Sequence, residues 1–312
     1  MSKQIQFIFN PSELGAGTRG ASLGPSALLT AARTNNSGLF ENREIRIIPD
    51  KNHLLNKSIE KSFAKNIDGV LSIFSEVENQ LTNVLKDGKT PIIIAGDHSS
   101  AGATISAISK NYPAKKIGVL WIDAHADLHT PYTTPSGNIH GMPLATALGI
   151  DNLDCKKNDV DLKIKDDWNR LKSNSLDSKN LVYIAVRDTE SEEDFLIDQL
   201  KLKNYSVTEV RELGIQKLIT ELKKRFESID YLYISFDVDS MDPELTSHGT
   251  GTPVPNGLTP KEAKEILQEL CQFEKLIALE IVEINPCLDE KKNKMAETTL
   301  DILESVIETI EK

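Results

Sequence analysis

Ile117-Gly-Val-Leu-Trp-Ile-Asp123-Ala-His125-Ala-Asp127 is the stretch that says most about the fold, because an apolar run ends directly in polar residues at every second position. A second stretch, from Tyr231 to Asp239, has the same form and ends in Asp237-Val-Asp239. Alternate side chains of an extended strand point to one face and lie roughly 6.5–7 Å apart. Both stretches are therefore predicted to be strands with metal-binding side chains at their carboxyl ends.

Similar apolar runs recur along the chain and alternate with longer stretches of helical spacing. The predicted strands are Ile5–Phe9, Ile45–Ile48, Ile92–Ala95, Ile117–Asp123, Leu181–Val186, Tyr231–Phe236 and Ile277–Ile284. The predicted helices are Gly69–Lys86, Ser99–Lys110, Glu192–Lys203, Glu212–Phe226, Pro260–Phe273 and Lys294–Ile310. This alternation predicts an α/β fold of three layers, with a mainly parallel central sheet flanked by helices.

The length of 312 residues is compatible with one α/β domain, and no linker divides the chain. Residues 151–180 form the most polar stretch, rich in Lys, Asp, Asn and Ser. Because this stretch lies between well-patterned segments, we predict a single domain over residues 1–312 with a polar insertion around 151–180 that covers one face.

The net charge of −11 disfavours nucleic acid as a partner and favours a small cationic substrate. Cys155, Cys271 and Cys287 are widely spaced and form no CxxC motif, which fits a reducing cytoplasm. The N-terminus lacks a basic region followed by an apolar core, and no apolar run approaches about 18 residues. A soluble cytoplasmic protein with no membrane contact is therefore expected.

The remaining candidate ligands also follow strands. His98 comes shortly after Ile92–Ala95, and Glu283 closes Ile277–Val282. In open α/β sheets the ligand crevice lies beyond the carboxyl ends of the strands, so these side chains are expected to meet Asp123 and Asp237 at one edge.

The chemistry of this edge favours two hard divalent ions about 3.5–4 Å apart. Four aspartates carry about four negative charges at neutral pH, which two divalent cations would cancel. Carboxylates with some imidazole and no nearby thiolate favour Mn²⁺ or Mg²⁺ over structural zinc, and Mn²⁺ is preferred because imidazole is present. Water between two such ions becomes a hydroxide nucleophile, which predicts a hydrolase.

A polar loop, residues 130–141, follows the first metal-binding stretch and is dense in turn-forming residues. Its one side chain that titrates near neutrality is His140, a candidate proton carrier between solvent and the metal site.

Five ordered segments resemble the ureohydrolase family, and the arginases within it in particular. They are AGDHSS (95–100), WIDAHADLHTP (121–131), TTPSGNIHGMP (133–143), SFDVDSMDPE (235–244) and GTGTPVPNGLT (249–259). The SGNIHG segment distinguishes arginases from agmatinases and formimidoylglutamases, and the resemblance covers nearly the whole chain.

The resemblance implies two Mn²⁺ ions per chain, cleavage of L-arginine to L-ornithine and urea, and a homo-oligomer, either a trimer or a hexamer. One ion would be held by His98, Asp123, Asp127 and Asp237, and the other by Asp123, His125, Asp237 and Asp239. A hydroxide bridging the ions, oriented by Asp127, would attack the guanidinium carbon. Glu283 would pair with the guanidinium, and His140 would carry the proton to the departing amine.

The implied substrate-binding positions include two departures from the arginase pattern. These positions are His129, Ser136, Asn138, Glu190, Glu193, Thr252 and Glu283. His129 stands where Asn is usual, and Glu190 stands where the RDxD segment of arginases has its second Asp. An imidazole can still donate to a carboxylate, and Glu190 keeps the negative charge while reaching about one methylene further.

Two alternatives follow from these departures and from the fold. The chain could be a ureohydrolase for another guanidine or amidine, such as agmatine, guanidinobutyrate, guanidinoacetate or formiminoglutamate. It could also be a metal-binding homologue without catalysis, since an enzyme fold does not ensure activity. A metallophosphoesterase is disfavoured because the sequence places no basic residues where a phosphate would bind.

Overall fold

An eight-stranded sheet, parallel throughout, runs through the centre of the molecule. The computed structural model describes residues 3–312. The strands are β1 (Ile5–Asn10), β2 (Ile45–Ile47), β3 (Thr90–Ala95), β4 (Ile117–Ile122), β5 (Leu181–Ile184), β6 (Lys203–Tyr205), β7 (Tyr231–Asp237) and β8 (Leu276–Val282). Their spatial order is β2-β1-β3-β8-β7-β4-β5-β6.

Helices cover both faces of the sheet. They are α1 (Gly24–Thr34), α2 (Ile67–Lys86), α3 (Ala101–Asn111), α4 (Pro143–Leu148), α5 (Leu162–Leu171), α6 (Ser191–Leu200), α7 (Val207–Leu213), α8 (Ile215–Arg225), α9 (Pro260–Cys271) and α10 (Lys294–Ile310). Helices α2 to α6 pack on one face, and α1 with α7 to α10 pack on the other. The predicted three-layer α/β fold is confirmed. In the part of the chain described, no helix is long and apolar enough to cross a membrane.

The central strands are apolar on both sides because both faces are covered. In β4, Val119 and Trp121 join the core under α2 to α6, whereas Leu120 and Ile122 join the core under α8 to α10. This explains why the strands appear in the sequence as continuous apolar runs.

Several elements differ from the sequence prediction. Strand β6 has only three residues and leaves no apolar run, and the helix predicted over Glu192–Lys203 ends at Leu200 instead. The helix predicted over Glu212–Phe226 corresponds to α8 and takes in only the last two residues of α7, since Gly214 has a φ of 74° and separates α7 from α8. The short helix α4 is also absent from the prediction.

The polar segment 151–180 contains α5, which the sequence analysis did not predict. Ile164, Trp168 and Leu171 are buried on one side of this helix and join the core shared with α2. The remaining positions of α5 carry mainly charged side chains, which is why the segment as a whole appears polar.

The strand order places the candidate ligands together. Strands β3, β8, β7 and β4 are consecutive neighbours at the centre of the sheet, and each ends next to one of the predicted site residues. The register pairs Ile122 with Phe236 and Asp237 with Val282, so these strands end at the same level. Asp123, Asp237 and Glu283 are thereby brought to one edge.

Candidate metal centre and substrate pocket

The first candidate ion site surrounds His98. Its Nδ1 atom lies 3.1 Å from Oδ2 of Asp123, 3.1 Å from Oδ2 of Asp127 and 3.2 Å from Oδ2 of Asp237. All four residues are buried. Side chains that follow three different strands thus converge on one small volume.

The second candidate ion site shares Asp123 with the first. His125 Nδ1 lies 3.0 Å from Oδ2 of Asp239 and 3.5 Å from Oδ1 of Asp123. Asp123, His125 and Asp239 each offer one ligand atom within 4.8 Å of the others, as do His98, Asp123 and Asp237. The two predicted ion sites are therefore adjacent, with Asp123 between them.

The donor atoms of the first site fit a cation. Three buried atoms, His98 Nδ1, Asp123 Oδ2 and Asp127 Oδ2, lie close to one another, but none of them makes a hydrogen bond of acceptable geometry with any described residue. Such orphaned buried atoms are rare in proteins because each costs about 1–3 kcal/mol. One divalent cation would satisfy all three, and their oxygen and imidazole character suits a hard ion.

The electrostatics of the carboxylates favour the same conclusion. Burial and the Asp239 and Asp123 carboxylates raise the pKa of Asp237 well above its usual range. Burial and the Asp123 carboxylate raise the pKa of Asp127 to about 6. In contrast, although burial opposes it, His125 and His98 lower the pKa of Asp123. Bound cations would offset this crowding of negative charge.

His98 is held by two residues that the sequence analysis did not assign to the site. The indole of Trp121 stacks on its ring at a centroid distance of 4.1 Å and an interplanar angle of 5°. Ser235 Oγ lies 2.7 Å from Nε2 and leaves Nδ1 facing the carboxylates. Trp121 and Ser235 each stand two positions before a predicted ligand, so the alternation of strand side chains could have identified both.

Glu283 and His140 form a pair beside the ion sites. His140 Nδ1 lies 2.9 Å from Glu283 Oε1, which also accepts the backbone N–H of His98 at 3.1 Å. Although burial opposes protonation, the Glu283 carboxylate raises the pKa of His140 to about 9. The other carboxylate oxygen, Glu283 Oε2, is buried and has no partner in residues 3–312. It is available for a cationic group.

Two of these acidic residues adopt left-handed backbone conformations. Asp127 has a φ of 51° and Glu283 has a φ of 67°. This conformation costs roughly 1–2 kcal/mol per residue for side chains other than glycine. Strain of this kind persists where the surroundings enforce it and is concentrated at functional sites.

A cavity of about 160 Å³ opens over the two ion sites. This volume is below that of sites for drug-sized ligands and suits a small metabolite. It is lined by His98, His125, Asp127, His129, Thr134, Pro135, Ser136, Asn138, His140, Gly141, Glu190, Glu193, Asp237, Asp239, Thr252 and Glu283. Of these described lining residues none is Lys or Arg, so the cavity favours a cation.

Every predicted substrate-binding residue lines this cavity, and Glu193 and Thr252 also hold neighbouring protein groups in place. Glu193 accepts the backbone N–H of Leu128 at 3.0 Å and that of Glu190 at 3.2 Å, which fixes the start of α6. The hydroxyl of Thr252 donates to Asp239 Oδ2 at 3.3 Å. Their side chains thus orient neighbouring groups as well as facing the cavity.

The His129 ring contacts protein groups through both nitrogens. Nε2 lies 3.0 Å from Glu190 Oε2, and Nδ1 lies 3.2 Å from the hydroxyl of Thr133. Burial lowers the pKa of His129 despite the nearby Glu190 carboxylate. A neutral imidazole has one N–H, and the geometry directs it to Glu190.

Arg187 holds the loop that carries Asp239 and Thr252. Its guanidinium donates to the carbonyls of Asp239 at 3.0 Å, Val254 at 2.6 Å and Pro255 at 3.0 Å. In the sequence, Arg187 is recognisable only as the first residue of the segment Arg187–Glu190 that resembles RDxD. Its role in holding this loop leaves no local signal, because these carbonyl partners lie more than fifty positions away.

Comparison with known proteins gives a consistent result. The family model described as the Arginase family matches residues 3–308. Arginase of Bacillus subtilis (strain 168) is 33% identical to this chain over 315 residues, and the match covers 98% of each protein. The native structure of Bacillus caldovelox arginase matches with a TM-score of 0.83 at 31% identity over 98% of each chain. Entamoeba histolytica arginase in complex with L-ornithine matches with a TM-score of 0.83 at 28% identity, over 98% of this chain and 99% of that one.

Proposed function

The chain belongs to the arginase family of hydrolases, which act on carbon–nitrogen bonds, and from that premise we propose that it hydrolyses L-arginine to L-ornithine and urea with two Mn²⁺ ions bound. The observation that carries this proposal is the position of the free Glu283 Oε2 atom beside two adjoining His/Asp clusters. The L-ornithine complex of the Entamoeba histolytica relative supports the product.

The ligand assignment stays that of the sequence prediction. His98, Asp123, Asp127 and Asp237 would hold one ion, and Asp123, His125, Asp237 and Asp239 would hold the other. When bound, two divalent ions lower the pKa of a shared water and supply a hydroxide nucleophile near neutral pH. Mn²⁺ is proposed over Mg²⁺ because each cluster contains an imidazole.

Glu283 is proposed to anchor the guanidinium. A buried carboxylate oxygen without a partner is costly, and a guanidinium N–H would satisfy Oε2 in a charge-assisted hydrogen bond. Because Oε1 is already held by His98 and His140, the carboxylate cannot turn freely. A guanidinium bound in this way would have its carbon next to the ion sites.

His140 and Asp127 are proposed to handle protons and the attacking water. With a pKa raised to about 9 by Glu283 against the effect of burial, His140 carries a proton at neutral pH and can give it to the departing amine. Asp127 would accept a hydrogen bond from the attacking water and so orient it. Thr252, which donates to Asp239, would support the guanidinium end.

The other end of the substrate would meet Ser136, Asn138, Glu190, Glu193 and His129. Ser136 and Asn138 offer hydroxyl and amide donors for a carboxylate, and Glu190 offers an acceptor for an amino group. These contacts would distinguish an amino-acid substrate from a simple guanidine.

A second candidate, another guanidine or amidine, is favoured by the contact between His129 and Glu190. Because the N–H of His129 is directed to Glu190 at 3.0 Å, it is less available to a substrate carboxylate. A substrate without that carboxylate, such as agmatine, would lose less at this position.

A substrate panel tests both candidates. Protein stripped with a chelator and reloaded with Mn²⁺ is assayed for urea from L-arginine, agmatine, guanidinobutyrate and guanidinoacetate, and for formamide from formiminoglutamate. The expected result is urea with the highest kcat/KM for L-arginine, and none from the stripped protein. Preference for another substrate would replace L-arginine but keep the metal chemistry. No turnover with less than one ion per chain would favour a non-catalytic homologue.

Two further properties are proposed: a homo-oligomer, either a trimer or a hexamer, from the family resemblance, and a cytoplasmic location, from the widely spaced cysteines. Light scattering on the purified protein measures the first, and fractionation of the producing cells measures the second. A monomeric mass at assay concentration would contradict the oligomer.

A further inference from the structure

The loop that carries Ser136 and Asn138 is held largely by hydrogen bonds from other parts of the chain, particularly around its tip at residues 134–138. This substrate loop comprises residues 130–141 and lies between the metal ligand Asp127 and α4. Its backbone carbonyls must find partners elsewhere, because a loop without regular structure does not satisfy its own polar groups. The partners that it finds come from two distant parts of the chain.

The first partner is the beginning of the polar segment 151–180. The side-chain amide of Asn158 donates to the carbonyls of Pro131 at 3.0 Å and Thr134 at 2.7 Å. The backbone N–H groups of Lys157 and Asn158 both donate to the carbonyl of Tyr132, at 2.8 Å and 2.9 Å. One short stretch thus holds three carbonyls of the substrate loop.

Thr134 links these contacts to the tip of the loop. Its hydroxyl accepts the backbone N–H of Gly137 at 2.9 Å and that of Ser136 at 3.3 Å. Because Asn158 binds the carbonyl of the same residue, a displacement at Asn158 would be passed to Ser136 and then to Asn138.

The second partner is the chain that precedes α2. The backbone N–H of Lys65 donates to the carbonyl of Gly137 at 2.9 Å, and the Lys65 ammonium donates to Asn138 Oδ1 at 3.2 Å. A Cβ atom at Gly137 would lie 1.8 Å from the carbonyl oxygen of Ser62, so the two backbones are in direct contact. The tip of the substrate loop is therefore held from both sides.

A buried ion pair joins the two partners. Lys61 Nζ lies 2.6 Å from Oδ2 of Asp167, which is on α5 in the polar segment. The Trp168 indole donates to Asp151 Oδ1 at 2.8 Å and fastens α5 to the start of the same segment. Lys61 also contacts Asp68 at 2.9 Å, and Asp167 also contacts Arg170 at 3.1 Å, so a small network of charges joins the two segments.

The base of the substrate loop is fixed independently of its tip. The backbone N–H of His129 donates to the carbonyl of Gly141 at 3.0 Å, and that of His140 donates to the carbonyl of Gly15 at 3.1 Å. A change at the tip would consequently leave His140 and Asp127 in place.

We propose that the polar segment 151–180 acts as a brace for the substrate loop, with Asn158 as its positioning residue, and so sets the affinity for the substrate end remote from the guanidinium. The inference rests on the proposed function for the identity of the substrate. It assigns to the most polar part of the chain a role in substrate recognition in addition to covering the sheet with α5.

The test compares Asn158→Ala with Asp159→Ala, a matched control at the next residue, whose side chain is fully exposed and pairs with Lys156. In the Mn²⁺-loaded protein, Asn158→Ala is expected to raise KM for L-arginine about tenfold and leave kcat within about twofold, because two hydrogen bonds to the loop are lost. Asn158→Asp, which turns a carboxylate towards two carbonyl oxygens, should raise KM further. Asp159→Ala should change neither constant.

Hydrogen exchange of backbone amides in residues 130–138 gives a measurement that needs no turnover. Exchange is expected to accelerate in Asn158→Ala and to stay as in the unsubstituted protein in Asp159→Ala. An unchanged KM in Asn158→Ala, or a loss of kcat accompanied by loss of manganese, would contradict the proposed role of Asn158 in positioning the substrate loop. If the unsubstituted protein cleaved no guanidine, the proposed function would fail and the exchange rates alone would decide the brace.

Discussion

The metal cluster and the substrate rim occupy two sides of one cleft but are held in different ways. The metal cluster, as proposed, comprises His98, Asp123, His125, Asp127, Asp237 and Asp239, which lie at the carboxyl ends of β3, β4 and β7 and are buried apart from His125. The substrate rim, as proposed, comprises residues 129–138, a loop whose carbonyls are held by Asn158 and Lys65, and residues 187–193, which lead into α6.

The difference separates two kinds of change. A substitution in the metal cluster alters groups that the ends of the strands hold in position among several closely spaced carboxylates. A substitution in the rim alters groups whose neighbours can adjust. We therefore expect losses of metal and kcat from the first region and moderate changes in KM from the second.

The largest effect is expected from Asp237→Asn. The substitution removes one of the carboxylates around His98, and metal catalysis contributes several kcal/mol of transition-state stabilisation. We expect kcat/KM to fall on the order of 10³-fold, with loss of bound manganese measured by elemental analysis. The control is Asp301→Asn on the surface of α10, where the Asp301 side chain is exposed and pairs with Lys264. Full manganese content with normal turnover would break the comparison.

A smaller loss is expected from His140→Asn, which keeps a polar side chain but removes the proton carrier. General acid catalysis contributes at least about 10²-fold, so kcat should fall by roughly that factor. Manganese content and KM should stay near their original values, because His140 contacts Glu283 and no predicted ligand side chain. His53→Asn, at an exposed position, serves as the control. If His140→Asn raised KM and left kcat unchanged, His140 would belong to the substrate rim.

The rim is tested by Glu190→Gln, which removes the charge that His129 contacts. The Glu190 side chain is 53% exposed, so solvent weakens the interaction and we expect KM for L-arginine to rise only about fivefold. Asp198→Asn, on the exposed side of the same helix, should have no effect. If manganese were lost from Glu190→Gln, the rim and the metal cluster would not be separate.

The smallest effect concerns the pH dependence of stability in the metal-stripped protein. Burial and the Asp123 carboxylate raise the pKa of Asp127 to about 6. The protonated carboxyl group therefore adds to the free energy of unfolding at low pH, and this contribution is lost as pH rises through about 6. The pKa of His140 is raised by Glu283, against burial, to about 9, so its contribution is present below about 6.5 and lost as pH rises through 9.

Both groups act in the same direction. The Tm of the stripped protein, followed by thermal denaturation between about pH 5 and pH 9, is expected to fall by a few degrees, about 1.5 °C for each kcal/mol. Added Mn²⁺ should raise Tm more at the higher pH, where its ligands are deprotonated. A Tm that increased with pH over this range would contradict the assigned charge crowding.

The same two regions explain how much the sequence could predict. Asp123, Asp237 and Glu283 follow apolar runs, and the rule that ligands lie beyond the carboxyl ends of parallel strands was sufficient to group them. The predicted parallel sheet is confirmed, because its strands are buried on both faces and so leave continuous apolar runs in the sequence. Trp121 and Ser235 were missed although their alternation with the ligands was visible.

The rim could not be predicted to the same extent, since its geometry depends on contacts between distant segments. The contact of His129 with Glu190 joins residues 61 positions apart, and the contacts of Asn158 come from a segment whose helix α5 was not recognised. Charged positions on α5 conceal the spacing of Ile164, Trp168 and Leu171. Strand β6 was too short to leave an apolar run.

The left-handed conformations of Asp127 and Glu283 have an evolutionary consequence. Asp127 combines an unfavourable φ with a buried carboxylate whose pKa is raised, so the folded chain alone gains little from keeping this acid, whereas Glu283 has the same kind of φ but still holds His98 and His140. A library of variants selected only for thermal stability, without metal or substrate, should therefore accumulate neutral residues at position 127 before position 283, with Asn favoured at 127 because it tolerates this backbone conformation. Retention of both acids in natural descendants would be a record of selection for turnover.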